Sequence, residues 1–117
     1  MTEGKPLFVA AFNVDEARLA EFEDWYVKTH VPDGLAIPHF TRVLRYEKYG
    51  QALPLLESSP RFLNIYVIDH VDNIERAWLS KQREAASQDF FRWSDALRDG
   101  SQGIYVPTAV VDRPPGQ

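Results

Sequence analysis

Two segments of this chain read as strands that can surrender neither face to water. In Leu7-Phe-Val-Ala-Ala-Phe12, Phe8, Ala10 and Phe12 alternate with Leu7, Val9 and Ala11. Side chains on a strand point alternately to opposite faces, so both faces of this one are apolar. The last apolar run is predicted as a strand over 104–112, where Ile104, Val106 and Val110 alternate with Tyr105, Pro107, Ala109 and Val111. An antiparallel sheet commonly packs one face on its core and wets the other. Here either choice would expose a large apolar patch. Both faces of any sheet built on these strands must therefore be covered.

Between them the apolar period changes. From Asp15 onward Leu19, Phe22, Tyr26 and His30 recur at helical spacing along one face, and Asn13 with Glu16 forms a capping pair. Val31 precedes Pro32, and the α region is disfavoured before proline, so the helix is predicted to end near His30. Val31-Pro-Asp-Gly34 then reads as a turn. Strands follow over 40–49 and 61–69, joined by a loop over 50–60 that holds Leu53-Pro-Leu-Leu56. Three leucines are expected to pack on a partner or over a pocket mouth. Asp72 with Glu75 caps a second helix beginning at Ile74, Ala77 and Trp78. Its apolar register does not run smoothly into Phe90, Trp93 and Leu97. A break is predicted near Ala86-Ser87, with Ser87 capping the second segment, and an end at Gly100. The order β-α-β-β-α-β is the α+β, ferredoxin-like pattern, a four-stranded antiparallel sheet in one domain over 1–117. Right-handed crossovers put both helices on one face. A second copy of the chain is the simplest cover for the other, which predicts a homodimer through the helix-free face. The ends, 1–5 and 113–117, are expected to be loose.

Composition narrows the chemistry. Thirteen Lys+Arg against seventeen Asp+Glu give a net charge of −4, a poor footing for a nucleic-acid partner. Without cysteine there is no disulfide framework, thiolate site or thiol nucleophile. The early apolar run 7–12 is too short for a membrane span, so no membrane partner is expected and a cytoplasmic location is the default. Seven Phe, five Tyr and three Trp are many for this length, and call for a bulky core or an aromatic-lined pocket. There is no phosphate-cradling glycine loop and no nucleophile elbow, and His30, Asp33, His39 and His70 match no metal-ligand spacing. Neither a metal nor a cofactor is expected.

His30 is the leading candidate for chemistry. It shares the sheet-facing stripe with Leu19 and, at a helix end, would feel a dipole that favours the protonated ring. It reads either as a general acid/base or as a cap on the helix's free carbonyls that bonds Asp33. Asp33 either orients the imidazole or bonds its own turn. His39 reads as a residue at a pocket rim or a solvated loop residue. Tyr26, one turn before His30, and Asn64 and Tyr66, on one parity of the third strand, could bind a hydroxyl or carbonyl between sheet and helices. Trp78, Phe90 and Trp93 could supply aromatic walls. Arg45 could hold an anion, or pair with Glu47 or Asp24. Asp69 and His70 are neighbours on a strand and point apart, so they form no dyad.

Trp25-Tyr26-x-x-x-His30-Val31-Pro32-Asp33, then Ile37-Pro38-x-Phe40 and Arg45-Tyr46, resembles the EthD-like branch of the dimeric α/β-barrel superfamily. The resemblance is close over 25–46 and rests elsewhere on element order. One departure is His39, where that branch usually has glycine after the proline. It implies a ferredoxin-like protomer whose sheet packs on a partner's, and relatives that include polyketide cyclases, cofactor-free monooxygenases and lactone isomerases. The expected function is a cofactor-independent lyase, isomerase or cyclase acting on a small aromatic or polyketide-like molecule, with His30 as general acid/base. The alternatives are a cofactor-free monooxygenase of the same fold and a non-catalytic dimeric module that binds a ligand.

Overall fold

In the computed structural model, which describes residues 3–51, 53–56 and 58–116, the strands are β1 (Leu7–Val14), β2 (Phe40–Glu47), β3 (Phe62–Ile68) and β4 (Leu97–Tyr105). They form one antiparallel sheet in the order β2-β3-β1-β4. The helices are α1 (residues 16–35), α2 (Ile74–Trp78) and α3 (Lys81–Phe91). The register pairs Phe8 with Tyr66, Ala10 with Asn64 and Phe12 with Phe62, which sets these side chains on one face. Helices cover that face in two adjoining clusters. Phe12, Phe22, Trp25, Tyr26, Phe62 and Trp93 make one, and Ile37, Phe40, Tyr66, Ile68, Ala77 and Ala86 the other. The opposite parity, with Val9 and Leu44 paired on Ile65 and Ala11 and Tyr46 paired on Leu63, has no helix of its own chain over it. No helix among the described residues is long and apolar enough to cross a membrane.

The first helix does not stop at His30. A three-ten turn (Glu16–Arg18) and an α-segment (Leu19–Trp25) lead into a π-turn (Tyr26–His30), and a further α-segment (Val31–Leu35) follows directly. Val31 donates its N–H five residues back to Tyr26 O. Pro32, which has no N–H, thus occupies the first turn of the new segment, where a missing donor costs nothing. Val31 keeps helical angles before the proline because its side chain is packed on the Phe22 cluster. The predicted turn over 31–34 is therefore helix, and the dipole argument for His30 falls with it.

The second helical region also breaks elsewhere. α2 ends at Trp78, and Ser80, not Ser87, caps α3 by accepting the Arg83 N–H at 3.1 Å. α3 runs through Ala86-Ser87 and ends at Phe91, well before Gly100. β4 consequently begins at Leu97 and ends at Tyr105, so the expected strand over 104–112 is displaced toward the N-terminus. Its first half, Leu97-Arg-Asp-Gly-Ser-Gln102, has no alternating apolar signal, and pairing with β1 alone holds it in the sheet. Val106, Val110 and Val111 lie beyond the sheet and are exposed. The two-sided apolarity therefore belongs to β1 and β3. Asn13 caps nothing. It accepts from the Arg61 N–H at 2.6 Å and donates to Asp99 at 2.9 Å, pinning both neighbouring strands to the end of β1. Leu53, Leu55 and Leu56 are exposed in the single chain.

Gly34 marks where α1 comes closest to the sheet. A Cβ there would sit 2.6 Å from a ring carbon of Tyr66. That ring is 2% exposed and wedged between Phe8 and Phe40, with centroids 5.8 and 5.7 Å away, so it cannot yield. Glycine in a helix ordinarily costs about 1 kcal/mol relative to alanine, so Gly34→Ala would stabilise an uncrowded site. Here overpacking of about 1–3 kcal/mol should win, and thermal unfolding should show a lowered Tm. A raised Tm would contradict this close approach.

Candidate functional site

A cavity of about 230 Å³ lies between the sheet and the three helices. Its floor is Phe8, Ala10 and Phe12 of β1 with Tyr66 of β3 and Gln102 of β4. From α1 come Tyr26, His30 and Gly34, and from the segment after it Ile37. Trp78 of α2 and Arg83, Ala86, Ser87, Phe90 and Phe91 of α3 close the other side. The volume falls just below the ~300–1,000 Å³ of drug-sized pockets, and the wall is apolar with a few polar groups.

His30 is held among three aromatic rings. Its imidazole stacks on Trp25 at 5.2 Å and 27°, and lies 4.8 Å from Tyr26 and 5.1 Å from Phe90. Nδ1 is buried and has no hydrogen-bond partner among the described residues. Burial pushes the imidazole down to about 4, with the Arg45 charge adding to the shift and Asp89 opposing it. The ring is neutral at pH 7 and can accept a proton. That is the reverse of the protonated ring a helix end would favour.

Beside it, the Tyr26 and Tyr66 hydroxyls are bonded to each other at 2.7 Å. Burial raises both phenols above their ordinary value, Tyr26 well above. Both therefore stay protonated. When one hydroxyl donates to the other, the second keeps an O–H free to donate to a ligand oxygen. Behind Tyr26, Arg45 lies over the ring at 4.3 Å, makes a two-pronged ion pair with Glu23 at 2.9 and 3.1 Å, and donates to Asn64 at 2.8 Å. Asn64 in turn donates to Ala10 O at 3.3 Å. This polar chain fixes Tyr26 on the sheet.

The cavity wall brings together Tyr26, His30, Tyr66, Trp78 and Phe90 of the residues singled out from sequence. Four others lie elsewhere. Asp33 is exposed on α1 and bonds no ring nitrogen, since the π-turn and the helix beyond it replace the turn that would have aimed it at His30. Trp93 is buried against Phe22 at 5.3 Å, on the far side of the core. Asn64 is fully buried but serves Arg45 and the β1 backbone. His39, with a left-handed φ of 72°, turns away to Asp69, its Nδ1 2.9 Å from the carboxylate, and Asn73 donates to the same carboxylate at 2.9 Å. Those two hydrogen bonds hold the Asp69 carboxyl below its usual range. Asp69 thus pairs with His39 across the β2–β3 edge rather than with His70, which caps the turn at Asp72. Arg45 pairs with Glu23, not with Glu47 or Asp24. The leucines of the 50–60 loop do not line this cavity. Gly34, Arg83, Ser87 and Gln102 were missed as wall residues. The one sequence signal for them was the four-residue spacing of Arg83 and Ser87, which puts both on one helix face.

No protein-family model matches this chain, and neither does any curated protein sequence. Solved structures do. An EthD family protein from Bacillus halodurans superposes with a TM-score of 0.69 at 19% identity, over 89% of this chain and 99% of that one. The fold is ferredoxin-like. SnoaB, a cofactor-independent oxygenase from Streptomyces nogalater, shares the ferredoxin-like fold with a TM-score of 0.63 at 17% identity, over 94% of this chain and 99% of its own. A dimeric ferredoxin-like protein of unknown function from Thermobifida fusca does so at 0.60 and 14%, over 92% and 95%. The fold expected from element order and from the stretch 25–46 is thus the observed one, shared with an EthD family protein.

Proposed function

We propose that this protein is a cofactor-independent enzyme of the lyase, isomerase or cyclase type, acting on a small, flat aromatic or polyketide-like molecule, with His30 as the proton acceptor. The observation that carries this reading is the unpartnered, buried Nδ1 of a neutral imidazole at the wall of an apolar cavity. A buried polar atom without a partner costs free energy, so its retention in a residue of the cavity wall points to a role beyond packing. The chemistry suited to the wall is removal of a proton from carbon beside a carbonyl. His30 takes the proton, and the C–H electron pair moves onto the carbonyl oxygen as an enolate. The free O–H of the Tyr26–Tyr66 pair donates to that oxygen as its charge develops. Asp89 favours the imidazolium so formed. Return of the proton at another carbon isomerises the molecule, and attack of the enolate on a second carbonyl closes a ring. A cofactor-free oxygenase, in which the same carbanion passes an electron to dioxygen, is the second reading, supported by the likeness to SnoaB.

Anthrone is a suitable probe, with acidic protons on the carbon opposite its carbonyl. Under nitrogen the protein should accelerate exchange of those protons into deuterated buffer, followed by proton NMR, and His30→Gln should lower that acceleration by about 10²–10⁴-fold. An unaccelerated exchange, or one His30→Gln leaves intact, would remove the base. Oxygen consumption by the same mixture in air selects the second reading.

The proposal extends to a homodimer through the helix-free face. The outward parity of β1, β2 and β3 (Leu7, Val9, Leu44, Tyr46, Leu63 and Ile65) forms one apolar surface, and a neighbour in fold is dimeric. Sedimentation at micromolar concentration should give twice the 13.5 kDa chain mass. A stable monomer would overturn the dimer and leave this surface to another partner.

A further inference from the structure

We propose that the ligand carries a carboxylate at the end remote from His30, and that Arg83 receives it with Ser87. The inference rests on the reading of the cavity as an aromatic-ligand site, and adds an acid group to that ligand.

Arg83 is the charged group of the cavity wall at neutral pH, and among the described residues it has no ion-pair partner. Its guanidinium is nonetheless fixed. Nε donates to the Trp78 backbone carbonyl, Nη1 donates to Ser87 Oγ at 3.2 Å, and the plane lies over the Trp78 ring at 4.4 Å. Among the described residues Nη2 has no hydrogen-bond partner. A guanidinium held in place by its neighbours, with one prong unused and no carboxylate beside it, is pre-organised for an incoming carboxylate. Arg45, by contrast, spends its charge on Glu23.

Helix geometry supplies the scale. Phe90 packs on His30 and lies seven residues beyond Arg83 on α3. Seven residues are two turns, so both side chains share a face about 10 Å apart. Phe8, Trp78 and Ala86 line the same cavity. That separation and these apolar walls fit a flat bicyclic or tricyclic skeleton with its reacting carbon near His30 and its acid near Arg83. The chain's net charge of −4 cannot itself favour an anion, so any acid preference must be local.

The test compares 2-naphthoate with 2-naphthamide, which differ chiefly in charge, by titration calorimetry on the wild-type protein, Arg83→Met and Arg83→Lys. Wild type should bind the acid about tenfold or more tightly than the amide, and the margin should shrink as salt is raised. Arg83→Met should weaken the acid far more than the amide and so abolish the margin, and Arg83→Lys should keep part of it. Equal affinities in wild type, or a margin that survives in Arg83→Met, overturn the assignment and leave Arg83 as a brace between α2 and α3, with the aromatic site intact. Binding of neither probe overturns the aromatic-ligand reading and this inference together. The wild-type comparison and its salt dependence decide the matter even if Arg83→Met fails to fold.

Discussion

A proline sits inside the first helix, and the turn before it is wound to five-residue spacing. Everything at the site depends on that pairing. Had the chain left the helix at Val31, His30 would have been a terminal residue with backbone carbonyls to bond. Instead the π-turn over Tyr26–His30 carries the helix onward to Leu35. π-turns inside α-helices recur at functional positions because they aim side chains a regular helix would not. Here the consequence is an imidazole pressed among Trp25, Tyr26 and Phe90 with its Nδ1 unsatisfied. The continuation also delivers Gly34 to the Tyr66 ring, and Ile37 to the cavity wall.

Around that turn the protein divides its polar groups into those that are spent and those that are not. Glu23, Arg45 and Asn64 satisfy one another and hold Tyr26. His39, Asp69 and Asn73 do the same at the edge of the sheet, without reaching the cavity. The Tyr26–Tyr66 pair is satisfied internally yet has one O–H left over. Of the three histidines His30 alone has its Nδ1 buried and unbonded, and burial keeps its ring neutral. Hydrogen-bond satisfaction is the rule in protein interiors, so a group that departs from it inside a cavity is the place to look for chemistry.

The sequence made the fold legible through period and order. A short run apolar on both faces marked β1, the stripe Leu19, Phe22, Tyr26 marked α1, and the βαββαβ sequence limited the topology to few choices. It misled where local rules competed with packing. Val31 before Pro32 argued for a turn, but burial of Val31 against the aromatic core held the helix together. The stretch 97–102 has almost no strand signal of its own and is a strand because β1 offers it an edge, which displaced the last strand. Within the site, Tyr26, His30 and Tyr66 could be grouped by stripe and parity. Asp33 could not be excluded, because the π-turn redirects the helix face and no spacing rule announces it; nor could Trp93, because α3 was expected to run past it and instead ends at Phe91. Arg83 was hidden because Trp78 reaches it across the break at Ser80, which the apolar register had placed at Ala86-Ser87.

The account stands on a neutral, half-buried His30 with a buried Nδ1. Nitrogen-15 NMR of imidazole-labelled protein, with the His30 signals assigned by their loss in His30→Gln, reads its protonation directly. The folded protein should show a neutral ring through pH 7 and pH 6, taking up its proton only near pH 4. A His30 that protonates at or above its ordinary 6.5 would contradict the account, because the ring would then be solvated or hydrogen-bonded and no longer a base kept ready in an apolar cavity.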